Sequence, residues 1–165
     1  DPEGERFAKA HFTYLADAEA RGAKVATVPG DARLSLGSGG TFDLLVVDAF
    51  SSDSIPVHLV TREAVRLYRE RLSPKGLMAF HVTNRHLRLS RVFARLAAEE
   101  GLYAARRKDN DMSAQGKNTS EWVVLAQSPD GLAPLAKLGT GQGIVPLAGD
   151  PLWTDDFSSL LPLLR

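Results

Sequence analysis

A chain of 165 residues with 44% apolar content has room for one domain with a real core and little more. Twenty basic residues balance twenty acidic ones, so no broad field draws nucleic acid or an anionic membrane to the surface, and no apolar run is long enough to span a bilayer. Cysteine is absent, which excludes disulfides, thiolate nucleophiles and cysteine-ligated metals and is compatible with a reducing, cytoplasmic setting.

The chain opens on Asp1-Pro2 without an initiating Met or a signal peptide, which reads as a piece of something longer. Phe7, Ala10, His11, Tyr14, Leu15 and Ala18 recur at helical spacing and predict a first helix of about five turns, with Gly22 as its stop. Residues 24–28 read as a short strand ended by Pro29-Gly30, and Asp31 is placed to cap a helical turn over 32–36. Gly37-Ser38-Gly39-Gly40 is a surface loop into the central element. That element is the branched apolar run of residues 42–47. It is too short for a helix, and it predicts a strand buried on both faces in the middle of a parallel sheet.

Asp48 closes this run, and Asp53 follows in a small polar loop that ends at Pro56. Thr61 is a plausible N-cap for a helix to about residue 72, with Ala64, Val65, Leu67, Tyr68 and Leu72 inward. Ser73-Pro74-Lys75-Gly76 turns into a strand over 77–82, which finishes in His81, Thr83, Asn84, Arg85 and His86. A helix over 90–100 follows, with Val92, Phe93, Leu96 and Ala97 inward and Gly101 as stop. Residues 102–107 and 121–127 read as two consecutive strands joined by a polar stretch. A short helix, a Gly-rich turn and a tail with Trp153-Thr154-Asp155-Asp156-Phe157 close the chain.

Alternating helices and strands predict an α/β fold with a largely parallel sheet, and the two consecutive strands predict an antiparallel hairpin on one edge. Gly139-Thr140-Gly141-Gln142-Gly143 follows no convincing strand and precedes no phosphate-binding lysine, so it reads as a plain loop. His11, His58, His81 and His86 lack metal-ligand spacing, no Gly-x-Ser-x-Gly elbow exists, and Arg106-Arg107-Lys108 reads as a solvated strand end. Asp31, Asp48 and Asp53 remain. Each has a bland reading as a cap or loop-former, but together they follow strands, and ligands of open α/β sheets bind beyond the carboxyl ends of strands.

Gly30-Asp31-Ala32-Arg33, Phe42-Asp43-Leu44-Leu45-Val46-Val47-Asp48 with Ser51-Ser52-Asp53, and the Ser73-Pro74-Lys75-Gly76-Leu77 turn resemble the spermidine synthase (polyamine aminopropyltransferase) family. The resemblance runs over residues 1–128, and the tail over 153–161 is most similar to the bacterial spermidine synthase-like branch, some of whose members are fused to membrane-spanning segments. It implies a Rossmann-like class I methyltransferase fold lacking its first two strands, forming a single domain with a core over 1–128 and an extension over 129–165.

By position, the resemblance implies that Asp31 and Ala32 contact the adenine side of the nucleoside. Asp48 accepts a proton from the attacking amine at the cofactor, and Asp53, His81 and Asn84 hold the amine. The co-substrate is then S-adenosylmethionine or decarboxylated S-adenosylmethionine, with no metal, and the acceptor is a small amine such as putrescine. The family's ribose-binding acid, its Gly-rich first loop and the tyrosine between its last two strands are not found in this sequence. A methyltransferase of the same fold and a degenerate binding or assembly domain are the alternatives. The segment itself is expected to touch neither nucleic acid nor membrane. It is expected to self-associate, because an edge strand without its neighbours seeks a partner.

Overall fold

The computed structural model describes residues 2–37, 39–49, 56–137, 139 and 141–165, which fall into two compact units, 1–39 and 40–165. In the first unit, α1 (Pro2–His11) and α2 (Tyr14–Ala20) stand where one long helix is expected. They divide at Phe12-Thr13, where the Thr13 hydroxyl donates to Asp17 Oδ2 at 2.9 Å, a local bond of the kind that competes with a continuous helix. The expected stop holds. Gly22 adopts φ +88°, Gly22 N–H donates to Glu19 O at 2.9 Å, and Ala23 N–H donates to Ala18 O at 3.0 Å.

Residues 24–28 are not a strand but irregular chain, because no strand pairs with them among the described residues and an extended segment alone cannot ladder its backbone groups. α3 (Ala32–Leu36) begins where Asp31 predicts, with Asp31 Oδ1 accepting from Leu34 N–H at 3.0 Å.

The second unit is built on β1 (Phe42–Val47), β2 (Leu72–His81), β3 (Tyr103–Asp109), β4 (Ser120–Ala126) and β5 (Gln142–Gly143), in the spatial order β1-β2-β4-β3-β5. β1 is parallel to β2, and β4 is antiparallel to both β2 and β3, so β1, β2 and β3 share one direction while β4 and the short β5 oppose it. The expected hairpin is present as β3 and β4 on one side of the sheet, with β4 next to β2 and β3 beyond it. The side chains explain the order. Val123, Leu125 and Ala126 of β4 are fully buried and need neighbours on both sides, whereas β3 carries Arg106, Arg107 and Lys108 and tolerates the flank. The Gly-rich stretch read as a loop supplies β5, which pairs with Ala105 and Arg106.

α4 (Arg62–Glu70) and α5 (Ser90–Glu99) pack on one face of the sheet around Phe80, whose ring centroid lies 4.5 Å from Phe93 and 6.2 Å from Tyr68. Thr61 caps α4 as expected, accepting from Ala64 N–H at 3.2 Å. α6 (Pro129–Lys137) lies against β2, β3 and β4. No helix among the described residues is long and apolar enough to cross a membrane.

β1 departs from the double-sided burial expected of it. It is an edge strand, and Leu44 and Val46 are 56% and 51% exposed, because among the described residues its only sheet neighbour is β2. Its pairing with β2 also slips once. Phe42 faces Leu72 but Leu44 faces Leu77, so the Ser73-Pro74-Lys75-Gly76 stretch bulges out between them. Gly76 is required there, since a Cβ would lie 2.8 Å from the carbonyl oxygen of Phe42 and 3.1 Å from both the N and the O of Ser73. Gly76→Ala is expected to cost about 1–3 kcal/mol in chemical denaturation, because backbone on two strands must move apart. Gly40→Ala, where nothing lies within 4 Å of the added carbon, is expected to leave the midpoint nearly unchanged.

Candidate functional site

Past the bulge, Val47 faces Phe80, so the next residues on the two strands, Asp48 and His81, come side by side at the carboxyl ends. Asp48 Oδ1 lies 2.8 Å from His81 Nδ1. A carboxylate only accepts, so the proton of this bond belongs to Nδ1. On the other side of the ring, Nε2 lies 2.6 Å from Thr83 Oγ1, which also accepts from Glu121 N–H at 2.8 Å. For a neutral imidazole the bonds have one consistent direction: Glu121 N–H to Thr83, the Thr83 hydroxyl to His81, and His81 to Asp48. Trp122, opposite His81 on β4, stacks on the ring at 4.8 Å and 19°. The Asp48 side chain is 55% exposed and that of His81 25%, so the pair opens to solvent while Thr83 and Trp122 hold it from behind.

Asn84 is buried, and its Oδ1 accepts from His86 N–H at 2.9 Å and Leu87 N–H at 2.8 Å, turning the chain sharply after β2. Of the residues singled out in the sequence, the structure thus brings together Asp48 and His81, with Asn84 just beyond. Asp31 and Ala32 open α3 in the first unit, and Asp53 lies outside the described residues. The sequence reading passed over two supporting residues. Thr83 appeared only as one polar group among several. Trp122 gave a signal in the β4 alternation, since it falls on the face opposite Val123 and Leu125.

Farther along the same sheet, the β3–β4 connection is tied by Lys117, 2.9 Å from Asp111 and 3.2 Å from Asp109. The Asp111 backbone N–H and Lys117 hold the Asp109 carboxyl below the usual carboxylate range, and Lys117 and Ser113 do the same for Asp111. Among the described residues, no group of three or more His, Asp or Glu is placed to hold a metal ion.

No protein-family profile matches the chain, and no curated protein matches it. Among solved structures it is similar to one named as a probable spermidine synthase from Corynebacterium glutamicum, with a TM-score of 0.53 and 18% identity over 90% of this chain and 62% of that one. The fold is Rossmann-like, of the class I methyltransferase type. The chain spans less than two thirds of the length of that synthase. A second solved structure, MnmC2 from Aquifex aeolicus, shares 16% identity over 74% of this chain and 40% of its own, at a TM-score of 0.44. In this methyltransferase-type fold the Asp48–His81 pair occupies the strand ends where ligands of α/β sheets sit.

The direction of the bonds is testable. Nitrogen-15 NMR of neutral His81 is expected to show the Nδ1–H tautomer. Thr83→Val is expected to keep that tautomer, which Asp48 fixes, and to cost about 1–3 kcal/mol, because the Glu121 N–H loses its acceptor.

Proposed function

We propose that this chain is part of a spermidine synthase-like transferase, acting on an S-adenosyl nucleoside (decarboxylated S-adenosylmethionine) and an amine acceptor such as putrescine. The observation that carries the reading is the carboxylate of Asp48, braced by His81 at the end of a parallel strand pair and open to solvent. An alkyl ammonium with a pKa of about 10 is not a nucleophile until it loses a proton. A carboxylate beside it orients it and takes that proton as the amine lone pair attacks the carbon next to the sulfonium. The carbon–nitrogen bond forms, the carbon–sulfur bond breaks with its electrons left on sulfur, and a neutral thioether nucleoside departs.

The hydrogen bond from His81 fixes which carboxylate oxygen is turned toward the strand and which is left for the amine. Asp53, His81 and Asn84 meet the acceptor, and Asp31 and Ala32 meet the adenine. These roles rest on the resemblance of the motifs rather than on geometry. The fold likeness to a protein named as a spermidine synthase supports a transferase of the S-adenosylmethionine-related type, and the polyamine assignment goes one step further.

In the intact protein, Asp48→Asn is expected to lower turnover about 10²- to 10⁴-fold while leaving the circular dichroism spectrum unchanged. An unaltered rate removes Asp48 from the reaction. Product analysis with decarboxylated S-adenosylmethionine and putrescine separates aminopropyl from methyl transfer. Failure of methylthioadenosine to raise the melting temperature favours a binding or assembly domain instead.

We also propose that the chain self-associates, since β1 presents an edge strand with exposed Leu44 and Val46. Light scattering is expected to report a dimer or larger species. A monomer at all concentrations contradicts the proposal.

A further inference from the structure

The three-residue basic run of β3 is not a uniform strand end. Its alternation sends Arg106 and Lys108 to the face that carries Val123 and Glu121, and Arg107 to the other. On that face, Arg106 and Lys108 line a cavity of about 530 Å³ together with Arg88, Arg91 and the terminal Arg165. Five cations from the loop before α5, α5 itself, β3 and the chain end therefore converge on one hollow.

Two acids answer part of this charge. Glu121, on the cavity wall and 8% exposed, lies 3.9 Å from Arg106 and 3.6 Å from Arg165. Asp150, 2% exposed, pairs with Arg91. Arg88 and Lys108 have no acidic partner among the described residues, although like charges brought together over a low-dielectric wall repel. α5 adds to the field, because its first residues, Ser90 and Arg91, lie on the same wall and a helix N-terminus carries partial positive charge.

The cavity is of the size that takes a small molecule. A second hollow of about 560 Å³ shares Lys108, Glu121 and Arg165 with it and is otherwise lined by Arg85 and by uncharged polar groups, among them Asn84, Asn110 and Asn118. We propose that the basic cavity binds the phosphate of a small phosphorylated metabolite, whose uncharged polar body lies in the adjoining hollow. Arginine forks and a lysine point charge are the donors that recognise a phosphate dianion, and the amide side chains beside them suit hydroxyl or carbonyl groups. A nucleic acid backbone is the less favoured occupant, since the charge is gathered into a concave hollow rather than laid along a face and the net charge of the chain is zero. The inference does not depend on transferase activity.

The test is isothermal titration of the chain with inorganic pyrophosphate at low ionic strength. The expected result is one site per chain, weakened about tenfold or more by Arg88→Gln/Lys108→Gln. Both residues are exposed, and neither is paired with a buried acid, so the variant is expected to fold. Lys75→Gln/Lys137→Gln makes the same change in net charge at exposed residues that line neither hollow and is expected to bind as the parent does. Absence of heat, or equal weakening in the two variants, overturns the proposal. So does tighter binding of a mixed-sequence oligonucleotide through Arg88 and Lys108.

Discussion

The register of β1 against β2 governs where every chemically useful group at the strand ends is found. Side chains alternate between the faces of a sheet, so a slip of one residue would send Asp48 to the face opposite His81 and leave the carboxylate alone. The register is set in the bulged stretch before the strands run true. Ser73, Pro74, Lys75 and Gly76 are accommodated against the backbone of Phe42, and the close approach at Gly76 admits no side chain. Proline supplies no donor and glycine no Cβ, so this sequence suits a place where the ladder is interrupted and two backbones nearly touch. The Ser73 hydroxyl adds a bond of 2.6 Å to Asp43 Oδ1 across the same junction. The distance from Asp48 to His81 is thus decided well upstream of either residue.

What was legible in the sequence was mostly local chemistry with a single solution. Asp31 and Thr61 cap the helices they precede, Gly22 and Gly101 end theirs with positive φ, and α4 and α5 bury the faces their periodicity marks. The misreadings were of elements whose form depends on neighbours. Residues 24–28 have strand composition but no ladder partner among the described residues, and β1 has a core strand's composition but sits at an edge. The place of β4 inside the sheet turns on a comparison between two strands, which neither strand's own pattern encodes. In the site, Asp48 and His81 were both visible as polar groups ending apolar runs. Their pairing follows from a register fixed by the bulge, and the support from Thr83 and Trp122 follows from the antiparallel partner.

The even balance of charge in the composition conceals how the charges are distributed. Several acids are committed to defined basic partners. Glu100, with its side chain 3% exposed, takes Arg66 at 2.8 Å and Arg69 at 3.6 Å and so ties α4 to the end of α5. Asp150 takes Arg91, and Asp109 and Asp111 share Lys117. Cations, by contrast, gather around one hollow between β3 and the start of α5. A zero sum over the chain excludes long-range attraction of polyanions, but it sets no limit on a local excess of a few ångströms' extent, where screening is weak.

The tail links these features to the candidate site. Trp153 is fully buried and donates from Nε1 to Ser159 O at 3.1 Å, which folds the tail into a compact turn. From that turn, Trp153 O accepts from Arg62 N–H at 2.8 Å, and Asp155 accepts from the Thr61 hydroxyl at 2.7 Å, at the start of the helix reached from the end of β1. Farther on, Leu163 O accepts from Arg88 N–H at 2.9 Å, and Arg165 N–H donates to His86 O at 3.1 Å, in the segment that leaves β2. One stretch of chain therefore holds both the start of α4 and the segment 86–88 after β2, and carries Arg165 to the basic cavity. Loops that extend beyond strand ends are ordinarily the mobile part of an α/β sheet. Here the return of the chain holds the start of α4 and the segment 86–88 from outside, although it is remote in sequence from Asp48 and His81.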